Sequence, residues 1–89
     1  MKNYISEGTD LRMRAKALVI DFMRNTYECS SLNTGMRQAE IFRACGLDWG
    51  DYENANSDRQ QYWVVALLRE LEEEHQIVRD PVNKKWRIK

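Results

Sequence analysis

SDRQQYWVVALLRELEEEHQIVRDPVNKKWRIK, residues 57–89, is the stretch that decides the fold. Ser57 is suited to cap a helix through its hydroxyl group, and Gln60, three residues later, completes a capping box of the S-x-x-Q type. Apolar residues then recur at helical spacing and form one stripe, made of Val64, Val65, Leu68 and Leu71. The sequence therefore predicts a helix that begins near Ser57 and ends near Glu74 or His75.

The pattern changes directly after this helix. Ile77 and Val78 form one short apolar run, and Trp86 and Ile88 belong to a second. Between them lie the turn-forming residues Asp80-Pro81-Val82-Asn83. This arrangement predicts two short strands joined by a charged hairpin.

A first helix is predicted near the N-terminus, after a loose lead-in of residues 1–8. Thr9 is a good N-cap residue, and Asp10 lies near the positive end of the helix dipole, so the helix is expected to run from about Asp10 to Asn25 or Tyr27. Its predicted core stripe is made of Leu11, Ala15, Leu18 and Phe22, widened by Val19 and Met23. The charged residues are expected mostly on the outside: Arg12, Arg14, Lys16, Asp21 and Arg24.

A second helix is predicted from about Met36 to Cys45, after a turn at residues 33–35. Gly46 ends it, because glycine readily takes the positive φ of a helix C-terminus. The polar segment Cys29-Ser30-Ser31-Leu32 is expected to supply a small first strand that pairs with the hairpin.

The connection between the second and third helices, GLDWGDYENAN, is several residues longer than a minimal helix-turn-helix turn. Trp49 and Tyr52 are open to two interpretations: they cover the core from the loop side, or they form an exposed contact surface. The acidic residues of this segment do not have the spacing of a calcium-binding loop.

Length and composition limit the class of protein. The 89 residues fit one domain, and the apolar share of 43% and charged share of 31% are typical of a soluble globular protein. No apolar run is long enough to cross a membrane, and the N-terminus lacks the apolar core of a signal peptide, so we expect a cytoplasmic protein. Two cysteines in that setting are expected to be reduced thiols. One histidine and two cysteines do not readily fill a structural zinc site, and no metal or cofactor is expected.

The net charge is zero, which argues against a generally polycationic nucleic-acid coat, but the charges are unevenly distributed. Residues 48–58 contain four acidic residues and no basic one. Residues 79–89 contain five basic residues against Asp80 alone. The basic hairpin is suited to lie along a phosphate backbone, although charges on an edge hairpin also prevent unwanted strand pairing.

LLRELEEEHQIVRD, followed by a turn and KKWRI, resembles the closing half of winged helix-turn-helix domains, with the pattern L-x-x-L-E-x-x-G-x-I-x-R. The residues that match are Leu68, Leu71, Glu72, Ile77 and Arg79. With Trp63, Leu67 and the strand Lys85-Trp86-Arg87-Ile88, residues 36–89 are similar to the winged-helix domains attached to Mrr-type restriction endonucleases. His75 departs from the pattern, since it stands where the family usually has glycine. The resemblance implies an α+β winged helix-turn-helix fold, three helices followed by a C-terminal β-hairpin wing.

The same resemblance implies binding of double-stranded DNA, in transcription regulation or restriction. The front of helix 3 would enter the major groove, where Arg reads guanine and Gln reads adenine. The predicted DNA-binding residues are Arg59, Gln60, Gln61 and Tyr62 on the helix and Lys84, Lys85 and Arg87 on the wing. Gln60 is also the capping partner, so Arg59 and Gln61 are the stronger candidates. The glutamates at the helix end (Glu70, Glu72, Glu73 and Glu74) would repel phosphate and are expected to point away from DNA or towards basic residues of this protein or a partner.

Catalytic motifs are lacking. There is no G-x-S-x-G, no glycine-rich phosphate loop and no Cys-His pair at a motif spacing, so we predict that the chain is not an enzyme. The sequence does not decide whether a catalytic domain is attached in the natural protein or whether the chain forms a homodimer. The second hypothesis is a winged-helix protein-interaction or dimerisation module, which the zero net charge and the acidic 48–58 segment favour.

Overall fold

The computed structural model describes residues 2–48 and 58–89, and for residues 58–62 it describes the backbone alone. In this part of the chain, three α-helices are followed by an antiparallel two-stranded hairpin. The elements are α1 (Tyr4–Arg24), α2 (Gln38–Ala44), α3 (Asp58–Glu73), β1 (Ile77–Arg79) and β2 (Trp86–Ile88), with a 3-10 turn at Tyr27–Cys29. The predicted α+β class and the order of three helices and a C-terminal hairpin are confirmed.

Helix α1 begins earlier than predicted. Asn3 is its N-cap, and the Asn3 side-chain oxygen accepts a hydrogen bond from the Ser6 backbone N–H at 3.0 Å. Thr9 lies inside the helix, where its hydroxyl donates to the Ile5 carbonyl at 2.8 Å instead of capping. Most of the predicted lead-in is therefore helical, because Asn caps at least as well as Thr and acts six residues sooner.

The face of α1 that packs on the body also differs from the prediction. Val19 and Met23, expected only to widen the stripe, are fully buried. Leu11 is 62% exposed and Leu18 is 45% exposed, so their prediction as core residues was wrong. Lys16, predicted to lie outside, is buried.

The core joins the three helices to the sheet. The predicted stripe of α3 is confirmed at Val64, Leu68 and Leu71. The buried apolar residues among those described are Val19, Met23, Cys29, Ile41, Phe42, Val64, Leu67, Leu68, Leu71, Ile77 and Trp86. Trp86 is the largest of them, so the second strand of the hairpin is a core element.

The hairpin pairs with one residue upstream of α2. The Met36 N–H donates to the Trp86 carbonyl at 2.9 Å, and the Trp86 N–H donates to the Met36 carbonyl at 2.8 Å. The first strand predicted at Cys29–Leu32 was therefore misplaced: Cys29 ends a 3-10 turn, and Leu32 is 98% exposed. Met36 was predicted to open the second helix, but its backbone groups bind Trp86 and the helix begins at Gln38.

Helices α2 and α3 end with the same hydrogen-bond pattern. The N–H of Leu47 donates to the Phe42 carbonyl at 2.9 Å, and that of Gly46 donates to the Arg43 carbonyl at 3.1 Å. This is a Schellman motif with Gly46 at φ 69°, as the sequence predicted. At the end of α3, Gln76 and His75 make the matching bonds to Leu71 and Glu72, with His75 at φ 61°.

Both cysteines are free, as predicted. Burial is the main cause that raises the pKa of the Cys29 thiol to about 11, and burial also raises the pKa of Cys45. Among the described residues, no helix combines the length and the apolar character needed to cross a bilayer.

Candidate nucleic-acid interface

The hairpin separates its residues onto two faces. Ile77 lies opposite Ile88 and Arg79 opposite Trp86, whereas Val78 lies opposite Arg87. Side chains alternate between the faces of a sheet, so the Trp86 face packs on the core and Arg87 lies on the other side. Arg87, predicted to contact DNA from the hairpin, therefore lies on the face of the hairpin away from Trp86.

Asp80 closes the turn between the strands. Its carboxylate accepts hydrogen bonds from the N–H groups of Val82 at 2.8 Å and Asn83 at 3.0 Å. These two bonds, with the neighbouring Arg87, lower the pKa of Asp80 below its usual value of 3.8. The turn therefore holds a permanent negative charge at neutral pH.

This charge engages one of the predicted DNA-binding residues. The Arg87 guanidinium donates to the Asp80 carboxylate at 3.1 Å, and both side chains are about one quarter exposed. Arg87 is consequently not a free cation in this conformation. A phosphate would have to compete with Asp80 or bind beside it.

Lys84 and Lys85 are less constrained than Arg87. Lys84 is exposed and holds left-handed backbone with φ 63°, at the end of the turn. Lys85 is half-buried, and its N–H donates to the Asn83 side chain at 2.8 Å. Asn83 in turn donates to the Thr34 carbonyl at 3.1 Å, which ties the turn to the segment before α2. The wing therefore presents Lys84 from a backbone fixed at several points.

Two arginine side chains stack on the buried Trp86 of the hairpin. The guanidinium of Arg69 on α3 lies 5.4 Å from the centre of the Trp86 ring, and that of Arg79 lies 5.7 Å from it. The Arg79 Nε–H also donates to the Lys84 carbonyl at 3.3 Å. Arg69 was not identified from the sequence, because its contact with Trp86 depends on the packing of α3 against the hairpin.

The predicted base-reading residues Arg59, Gln60, Gln61 and Tyr62 lie on the first turns of α3, as expected. Their side chains fall outside the described part of the structure. Ser57, Trp49 and Tyr52, with the acidic residues at 51 and 53, also fall outside it.

The acidic end of α3 is partly neutralised from within the chain. The Lys16 ammonium group donates to the Glu70 carboxylate at 3.1 Å and to that of Glu74. The hydrogen bond to Glu74 is the main cause of a raised pKa at Lys16. Arg69 pairs with Glu72 at 3.1 Å. The expectation that these glutamates would point towards basic residues of the protein is met at Glu70, Glu72 and Glu74.

Trp63 lies on the side of α3 that faces α1, where it lines the same groove as Glu70. It is 37% exposed and stacks on Phe42 with the ring centres 6.2 Å apart. The sequence predicts packing of Trp63 on the core or on the hairpin, and the stack on Phe42 agrees with packing on the core. Within the described residues, no group of His, Cys, Asp and Glu side chains is arranged to hold a metal ion.

No protein-family model matches the chain, and neither curated proteins nor solved structures yield a match to it. The similarity to winged-helix domains of Mrr-type endonucleases accordingly stays a prediction from the sequence.

Proposed function

We propose that this chain is a non-catalytic double-stranded DNA-binding domain of the winged helix-turn-helix type. In this proposal the front of α3 enters the major groove, and the hairpin lies on the flanking phosphate backbone. The observation that carries the proposal is the way the hairpin is held. It is fixed to the body by the Met36–Trp86 bridge and by Arg69 on the Trp86 ring, and its turn carries the exposed Lys84.

The charge distribution supports the same orientation. Residues 79–89 carry five basic side chains, and their one carboxylate is already paired with Arg87. Lys16 of α1 offsets the repulsion that Glu70 and Glu74, at the end of α3, would exert on a phosphate. The hairpin is thus a local source of positive charge on a chain with no net charge.

Each predicted residue has a distinct role in this proposal. Lys84, Lys85 and Arg87 contact phosphates, which sets affinity without reading sequence. Arg59, Gln61 and Tyr62, with Gln60 where it is not engaged in capping, contact base edges.

The test measures binding to a mixed-sequence duplex by fluorescence anisotropy at a series of salt concentrations. We expect affinity to fall steeply with salt, and Lys84→Ala to weaken binding to all sequences and reduce the log–log salt slope by about one. Lys2→Ala is the matched control, because it removes the same charge from an exposed lysine near the start of α1.

Selection from a random duplex library then tests the reading role. Arg59→Ala is expected to weaken the preferred site about 5- to 150-fold, with little effect on other sequences, since a bidentate base contact contributes about 1–3 kcal/mol. Absence of binding to every duplex at low salt would overturn the proposal, as would equal effects of Lys84→Ala and Lys2→Ala.

A second candidate is a protein-interaction or dimerisation module. The apolar side chains that α1 exposes, among them Tyr4 and Leu11, are the observation that favours it. Analytical ultracentrifugation, run beside the duplex-binding assay, tests this candidate: a salt-insensitive dimer that binds no duplex at low salt supports it. Loss of that dimer in variants of Trp49 and Tyr52 would place the contact on the segment between α2 and α3.

A further inference from the structure

Helix α1 carries a second apolar stripe, of which Ala15 and Phe22 pack partly on the core while the other residues are exposed. Its positions are separated alternately by four and three residues, which is the heptad spacing of a helix–helix seam. The residues are Tyr4, Gly8, Leu11, Ala15, Leu18 and Phe22. Tyr4 is 76% exposed, Leu11 62% and Leu18 45%.

The N-terminal half of α1 is exposed on every side. Residues 4–14 are all exposed, whereas the buried residues of the helix are Lys16, Val19 and Met23. About three helical turns therefore extend without burial against the domain. A segment of this length is only marginally helical alone in water, so packing against another surface would stabilise it.

Two shallow grooves border the stripe where α1 reaches the body. One, of about 290 Å³, lies between α1 and α3 and is lined mainly by Leu11, Ala15, Trp63, Ala66 and Leu67. The other lies beside Leu11, Ala15, Leu18 and Leu47. The apolar surface is consequently continuous from the exposed half of α1 onto the body.

We propose that this stripe is a homodimer interface in which the α1 helices of two copies pack antiparallel. When the stripe is aligned with a reversed copy of itself about position 13, every large residue meets a suitable partner. Leu18 faces Gly8 of the second copy, Leu11 faces Ala15, and Tyr4 faces Phe22. Each leucine thus meets a small residue, which lets the helices approach closely.

This self-complementarity identifies a second copy of the chain as the partner. An isologous twofold interface requires one patch to match itself in reverse, and the alternation of small and large residues does so. The exposed parts of Tyr4, Leu11, Leu18 and Trp63 provide on the order of 400 Å² per copy, about half of the roughly 800 Å² that each partner contributes to a standard interface. The two grooves lie beside the stripe and share most of these residues, so the proposed interface is small and we expect a weak dimer.

The dimer does not depend on the proposed DNA binding. Its stripe lies on α1, whereas the proposed DNA contacts lie on α3 and the hairpin. Its contacts are mainly apolar, so dimerisation should depend on salt far less than DNA binding does. Failure of one proposal is therefore distinguishable from failure of the other.

The first test is sedimentation equilibrium of the whole chain over a range of concentrations. The wild type should dimerise, and Leu11→Lys should raise the dimer dissociation constant at least tenfold. Met13→Lys is the matched control, because Met13 is also exposed (53%) but lies on the opposite side of α1 from the stripe. A wild type that stays monomeric at high concentration overturns the proposal, as does an equal effect of the two variants.

The second test examines the small residue of the stripe. A side chain at Gly8 meets nothing within 4 Å in the monomer, so Gly8→Gln should keep or increase helix content by circular dichroism. In the antiparallel dimer the same side chain would collide with Leu18 of the second copy and raise the dissociation constant several-fold. Ser6→Gln, on the opposite side of the helix, should leave the dimer unchanged. A Gly8→Gln variant that dimerises as well as the wild type overturns the antiparallel register.

Discussion

Two non-glycine residues hold left-handed backbone, His75 at φ 61° and Lys84 at φ 63°. A side chain with a Cβ is disfavoured there by roughly 1–2 kcal/mol. At His75 the conformation is imposed by the Schellman motif that ends α3, since His75 and Gln76 donate the two closing hydrogen bonds. The sequence resemblance placed glycine at this position, and the observed φ explains why glycine suits it.

Replacing His75 by Gly should therefore stabilise the domain. We expect a gain of about 0.5–1 kcal/mol in the free energy of unfolding, because relief of the left-handed strain exceeds the extra chain entropy of glycine. Chemical denaturation measures it. Ala17→Gly, at an exposed position inside α1, should instead cost about 1 kcal/mol. A loss of stability in the His75 variant would contradict this explanation.

Gly35 is required for a different reason. It has φ 89°, and a Cβ on it would lie 2.6 Å from the Trp86 carbonyl oxygen, a backbone atom that belongs to the bridge with Met36. Gly35→Ala should destabilise the domain by about 3 kcal/mol or prevent folding, through strain and collision together. Gly46→Ala separates the two causes: Gly46 also has positive φ, but a Cβ there meets nothing within 4 Å. Its cost should stay near 1 kcal/mol, and equal costs for the two variants would contradict the role of the collision.

At the scale of elements, Lys16 joins α1 to the end of α3 through Glu70 and Glu74. Only 7% of the Lys16 side chain is exposed, whereas the two carboxylates are 40% and 43% exposed. Removal of the lysine would leave two like charges that water still reaches, so the cost should be less than that of breaking a fully buried pair.

Lys16→Met should lower the free energy of unfolding by about 1–2 kcal/mol, whereas Lys2→Met, at an exposed ion pair, should cost roughly 0.5 kcal/mol or less. The pH dependence follows from the raised pKa of Lys16. Its contribution is fully present below its ordinary value of 10.5 and is lost as the pH rises through the higher value in the folded protein. As the pH is raised through this range, the free energy of unfolding of the wild type, measured by chemical denaturation, should approach that of Lys16→Met. If the difference in unfolding free energy between the wild type and Lys16→Met persists at high pH, the ion pairs do not supply this stability.

The elements differ in how far the sequence predicts them. In α3, Val64, Leu68 and Leu71 define one apolar face, and the hairpin carries strong turn residues, so local patterns suffice. Helix α1 has two apolar faces with acceptable spacing, and only tertiary packing decides which one is buried. The bridge at Met36 involves a single residue, too short to show the alternating apolar and polar pattern by which strands are recognised in a sequence.

The candidate site shows the same division. The hairpin position of Lys84, Lys85 and Arg87 follows from residue type and turn spacing, and the structure places all three in the hairpin or its turn. The pairing of Arg87 with Asp80 does not follow from the sequence, because it requires the turn to bring residues seven apart to 3.1 Å. The role of Arg69 depends likewise on the position of α3 over Trp86.

For the whole molecule, the proposed DNA binding predicts that the Asp80–Arg87 pair limits how strongly the hairpin attracts a duplex. Asp80→Asn keeps an oxygen that is able to accept the turn hydrogen bonds, but removes the negative charge and releases Arg87. We expect duplex binding at low salt to tighten several-fold, with a steeper salt slope. Asp10→Asn is the control, because it changes the net charge equally on α1, at a looser pair with Arg14 of 4.0 Å. Equal effects of both variants on binding would indicate a response to net charge alone.

The bridge between Met36 and Trp86 joins positions fifty residues apart in the chain. Closing so long a loop is entropically costly, and contacts of this kind slow folding. Trp86 is also the largest fully buried side chain among the described residues. During synthesis, the buried faces of α1 and α2 therefore emerge long before the residue that covers them. A nascent chain that has not yet reached Trp86 exposes those faces, and in that interval it is most open to aggregation or to capture by chaperones.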